Sequence, residues 1–162
     1  MKKSSLKVLV SLFIVALFSL QSSSVLAQDS QTKSEFEIIQ DAFGLQKKDI
    51  VATFISLEGV DGDAFWKVYN EYEAKRKVLG KQRLEMLYDY SMEVGVVTNE
   101  EADVLMKEVL ALRMSYDNLI KGYYKKMKKA TSSIVAAQFY QIESYISTGI
   151  RFTILDSLDF IQ

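Results

Sequence analysis

The sequence predicts an all-α protein, a long antiparallel helical hairpin with additional helices, and three observations predict it. Apolar residues recur at spacings of three and four over long stretches between Phe65 and Leu155. Helix-start signals stand just ahead of those stretches, at Asp61, at Thr98 with Glu101, and at Thr131 to Ser133. The 162-residue chain has no proline to interrupt a helix, and no strand-like alternation competes with the helical reading.

The N-terminus carries Lys2, Lys3 and Lys7, an uncharged run of thirteen residues from Val8 to Leu20, and a polar stretch closing on Val25-Leu26-Ala27. A run of that length fits the core of a secretory signal peptide and falls short of the ~20 residues a spanning helix needs. Residues 1–27 therefore read as a signal peptide cleaved near Ala27, in preference to an uncleaved anchor. The expected location is periplasmic or secreted. Gln28 to Lys33 reads as a flexible leader, and residues 34–162 as a single helical domain.

Phe36, Ile39 and Phe43 predict a short helix ending at Gly44, and Ile50, Val51, Phe54 and Ile55 a second one. Two glycines and two aspartates in Leu57 to Asp63 mark a loop, with Asp61 placed as N-cap and Val60 and Phe65 at the positions of a hydrophobic staple. The next helix is expected from about Gly62 to Val94 with Gly95 as its terminator. Its apolar stripe is Phe65, Tyr69, Tyr72, Leu79, Met86, Leu87, Tyr90 and Val94. Glu71 with Lys75, and Glu73 with Lys77, are spaced for i,i+4 pairs on its other face.

Thr98-Asn99-Glu100-Glu101 has the pattern of a capping box and opens a third helix, expected to end near Ala130. Its stripe is Ala102, Leu105, Val109, Leu112, Tyr116, Leu119, Tyr123 and Met127. The short connection from Val94 makes the pair an antiparallel hairpin. A fourth helix is expected from about Ile134 to Leu158. Between Lys129 and Asp156 its only charged side chains are Glu143 and Arg151, so it should be covered on more than one side, in part by a second copy of the chain. Ile142, Ile146, Ile150 and Phe152 are the expected dimer contacts. Gly80, Gly122 and Gly149 fall inside helices, where each marks either a bend or a close crossing.

The chain has no cysteine and no histidine, which removes disulfides, thiolate nucleophiles, the commonest zinc ligand and the usual near-neutral base. No G-x-S-x-G, H-E-x-x-H, G-x-G-x-x-G or Walker A sequence is present. The expectation is a protein that is not an enzyme, with no cofactor and no metal. Glu58, Asp61 and Asp63 miss the EF-hand spacing, since Phe65 takes the place of the third ligand. Removing residues 1–27 takes three of the 20 basic side chains and none of the 21 acidic ones, leaving 17 against 21, a net charge of −4. That balance gives no footprint for nucleic acid.

What remains is binding chemistry. Lys121, Lys125, Lys126, Lys128 and Lys129 form a dense basic run that either complements a helix C-terminus or receives acidic segments or lipid head groups. Arg76 and Arg83 lie seven apart in an apolar stripe and either snorkel or face a concave surface. Nine tyrosines and nine phenylalanines supply either core or a reversible sticky face.

Leu57-Glu58-Gly59-Val60-Asp61, followed by Phe65-Trp66-x-x-Tyr69-Asn70-Glu71-Tyr72, resembles the L-T-x-x-Q segment of the Spy/CpxP-like periplasmic proteins and the F-W-x-x-Y-x-E-Y run of their Bacteroidetes relatives. Thr131 to Phe139 and Tyr140-Gln141-Ile142-Glu143 are similar to a second copy. Glu58 and Asp61 depart from the first motif, Thr131 and Val135 from the second. The resemblance implies a bent, cradle-like homodimer that acts as an ATP-independent chaperone for unfolded or partly folded clients. It equally admits an envelope-stress regulator touching a membrane sensor, and a structural envelope protein stays open. On the chaperone reading the client-binding residues are expected to be Tyr69, Tyr72, Arg76, Arg83, Tyr116, Tyr123, Lys125 and Phe139.

Overall fold

The computed structural model describes residues 44–92, 97–158 and 161, and every element among them is helical. We number these α1 (44–54), α2 (Gly62–Met92), α3 (Asn99–Ala130) and α4 (Ser133–Ser157). The predicted signal segment, the leader, the Phe36 to Phe43 helix and the Gly95 terminator lie outside the described residues.

Gly44 does not end a helix. It is itself helical, and the helix continues to residue 54. A glycine stops a helix by turning left-handed, and among the described residues only Gly59 does so, at φ 75°. Lys47, Val51 and Ile55, spaced by four, form the buried stripe of this segment.

The loop after α1 contains a turn in which the Val60 amide donates to the Leu57 carbonyl at 3.3 Å. Gly59 holds its third position, where a positive φ is the signature of a type II turn. Asp61 then caps α2 as expected, accepting from the Ala64 amide at 3.0 Å through Oδ1. At α3 the capping box is complete: the Glu101 amide donates to Thr98 Oγ1 at 3.3 Å, and the Thr98 amide donates to Glu101 Oε2 at 2.8 Å. That backbone donor holds the Glu101 carboxyl below the ordinary glutamate range. Ser132 caps α4 through the Val135 amide at 3.2 Å, so α4 begins one residue ahead of Ile134. Thr131 instead closes α3, both its amide and its hydroxyl donating to the Met127 carbonyl.

The described residues gather in two compact units. One joins residues 44–56 to 141–158, and the other is the continuous stretch Leu57–Tyr140.

In the continuous unit α2 and α3 pair as a hairpin. Glu71 meets Lys126, Tyr72 meets Tyr123 and Arg83 meets Tyr116, so positions rise along α2 as they fall along α3, and the two helices are antiparallel. At one end of this hairpin the first two turns of α4 add Val135, Ala136 and Phe139 to Phe65, Tyr69, Tyr72, Tyr123 and Met127, all buried. The rings interlock. Tyr72 meets Phe139 at 5.1 Å and Tyr123 at 5.5 Å, both edge-on, and Trp66 meets Phe65 at 4.9 Å in the same manner. Each such pair contributes about 0.5–1.5 kcal/mol beyond the area it buries.

The other unit has a core of Val51, Ile55, Ile142 and Ile146 and, among them, an ion pair. Lys47 Nζ donates to Glu143 Oε2 at 2.7 Å, with side chains 1% and 2% exposed. At that depth each charge needs the other, because an unmatched ion loses its hydration for nothing.

Candidate interaction surface

The aromatic residues that were expected to receive clients are core. Tyr69, Tyr72, Tyr123 and Phe139 are 1%, 4%, 3% and 0% exposed, because the α2 stripe, the end of α3 and the start of α4 converge on them. A client reaches them only if the hairpin end opens. Sequence spacing alone marks a core stripe and a sticky stripe identically, which is why they were placed on the surface.

The arginines are engaged with the hairpin itself. Arg76 Nε donates to both oxygens of Glu73, at 2.9 and 3.1 Å, with both side chains nearly buried. Arg83 lies over the ring of Tyr116, its guanidinium carbon 4.3 Å from the ring centre. Burial raises the Tyr116 hydroxyl above the usual phenol range, and the positive charges of Arg83 and Arg76 pull the other way. Arg83 thus ties the middle of α2 to α3, whereas Arg76 and Glu73 pair within α2.

Further along, Lys126 crosses from α3 to Glu71 at 3.3 Å and also lies over the Tyr123 ring at 4.6 Å. The hydrogen bond it donates to Glu71 raises the Lys126 ammonium above its ordinary range. The expected Glu71–Lys75 pair is therefore not made, and Lys75 turns to the Tyr123 ring, 5.8 Å from its centre. Of the eight expected client residues, only Lys125 is fully exposed.

The expected dimer contacts divide in the same way. Ile142 and Ile146, 6% and 2% exposed, belong to the chain's own core and are not available to a second copy. Ile150 is half-buried. Phe152 is 69% exposed, and Tyr145 and Leu155 join it as exposed apolar residues on α4. The helix that was expected to be enclosed is covered on one side only among the described residues.

Two exposed surfaces lie on the side of α3 turned away from α2, an apolar line that was not singled out from the sequence and the basic run that was. Met106, Leu110 and Met114, spaced by four and so in line, are 43%, 53% and 63% exposed. The periodicity was visible, but attention went to the longer stripe, whose eight members are all buried or half-buried. Beyond Met114, past Asp117 and its 4.0 Å pairing with Arg113, Lys121, Lys125, Lys128 and Lys129 stand exposed. Among the described residues no group of acidic side chains is placed to hold a metal ion.

No protein-family profile, curated protein or solved structure matches the chain.

Proposed function

We propose that the protein is a nucleotide-independent holding protein of the bacterial envelope, similar in its way of working to the Spy/CpxP-like proteins, which shields unfolded or partly folded chains from one another. The observation that carries this reading is the exposed line Met106, Leu110, Met114 on the back of α3. Methionine is flexible and polarisable, so a line of it accepts many apolar shapes without demanding one, and this suits a binder that must not discriminate. The rigid hairpin behind it keeps the stripe extended. Export through the N-terminal segment, cleavage near Ala27 and self-association through the exposed side of α4 belong to the same reading.

Absence of a phosphate-binding loop from the sequence leaves client release to competition among weak contacts. The test is light scattering of a chemically unfolded client diluted into buffer without nucleotide. The wild type should delay aggregation at modest molar excess, and Met106→Ser with Leu110→Ser and Met114→Ser should lose most of the delay at unchanged helicity. No delay with the wild type transfers the proposal to the regulatory or structural reading. Equal delay with the triple variant removes the stripe as the client surface.

A further inference from the structure

From Asn118 to Ile142 the chain contains five lysines and no acidic residue, although acidic residues outnumber basic ones in the rest of the chain after residue 27. One of the five, Lys126, is neutralised by Glu71. The other four, Lys121, Lys125, Lys128 and Lys129, are exposed on the last three turns of α3. Complementing the helix dipole accounts for one or two cations in the last turn, since the effect decays within that turn. It leaves Lys121 and Lys125 without a reason.

Beside the lysines, the first two turns of α4 present apolar and amphipathic groups to solvent. Ile134 is 72% exposed, the highest value among the large hydrophobic residues described, and Tyr140 is 47% exposed with its ring edge-on to Tyr124 at 6.3 Å. These residues all belong to the continuous unit, and they surround the two-residue connection between α3 and α4.

We propose that this end of the hairpin docks on the surface of an anionic phospholipid bilayer. Charge complementarity selects a polyanion, and three features select a bilayer among polyanions. Every cation is lysine, a mobile point charge that suits a diffuse field, whereas a fitted carboxylate or phosphate site favours the fork of arginine. Lysine stems lie along apolar surface while the ammonium stays at head-group level. Tyrosine rings rest at the same level, and Ile134 enters the acyl boundary beneath them. No helix among the described residues is long and apolar enough to cross a membrane, and docking of this kind requires none. It is also independent of the client stripe, which lies on the earlier turns of α3.

The experiment is co-sedimentation of the exported, processed protein with vesicles of phosphatidylcholine alone or mixed with phosphatidylglycerol. The protein should sediment with the mixed vesicles only, and rising salt should release it, since exposed charges are screened within about 10 Å at 0.1 M. Each exposed lysine replaced by glutamine, Lys125→Gln and Lys128→Gln first, should weaken partition about fivefold, and Ile134→Ser should weaken it with less dependence on salt. The Met106, Leu110 and Met114 variant should bind vesicles as the wild type does, which separates this result from failure of the holding activity.

Equal sedimentation with neutral vesicles would trace the association to apolar sequence elsewhere and overturn the assignment. So would wild-type partition by the lysine variants at unchanged helicity. Capture by immobilised polyglutamate without any vesicle binding would assign the patch to acidic protein segments instead.

Discussion

Glu143 is the only acidic residue between Asp117 and Asp156, and it meets Lys47 at 2.7 Å inside a core of isoleucine and valine. Glu143→Gln should cost about 3–5 kcal/mol in urea unfolding, because it takes the carboxylate away from a buried ammonium. Lys47→Met combined with Glu143→Leu should recover most of that loss, since an apolar pair of similar volume fills the same space without desolvation. If the single variant loses under about 1 kcal/mol, the pair is hydrated and its burial is wrong. The sequence flagged Glu143 as an oddity in an apolar helix but offered nothing for Lys47, which sits in Gln-Lys-Lys-Asp and reads as solvated surface. Its partner lies 96 positions away, beyond the reach of any local pattern. The four buried aromatic residues were misplaced for a related reason, since spacing tells which residues share a face and not what covers that face.

Helix starts were legible because capping is local chemistry, complete within four residues. Asp61 and the Thr98–Glu101 box do what their spacing requires. Helix ends and interruptions were less legible, because a glycine acts through a backbone angle that sequence does not display: Gly44 is helical while Gly59 makes a turn. Gly122 is a third case. A β-carbon placed there meets nothing within 4 Å and its φ is not positive, so it marks no close crossing. Gly122→Ala should therefore stabilise the continuous unit by about 0.5–1 kcal/mol, through helix propensity and a less flexible unfolded chain. Thermal unfolding by circular dichroism reads this as a raised midpoint, and a lowered one would mean that a neighbour occupies the space.

At the scale of the whole molecule, the all-helical class and the antiparallel hairpin were readable, whereas the division into two units was not, because it depends on which distant segments meet. The proposed self-association would use the side of α4 that the described residues leave bare. Phe152→Asp with Leu155→Asp should convert a micromolar dimer to monomer in light scattering without changing helicity, because an aspartate cannot be buried there unpaired. A wild-type monomer at that concentration would remove the interface altogether. The two units also differ in when they can come into being. Residues 57–140 are contiguous and rich in neighbour contacts, so they can assemble as soon as they are available. Residues 44–56 must wait for residues 141–158, and closing a loop that long is opposed by chain entropy. A chain that emerges N-terminus first thus carries Lys47, Val51 and Ile55 uncovered until residues 141–158 have arrived. For that interval the three side chains that will share a core face water, although the hairpin is already finished.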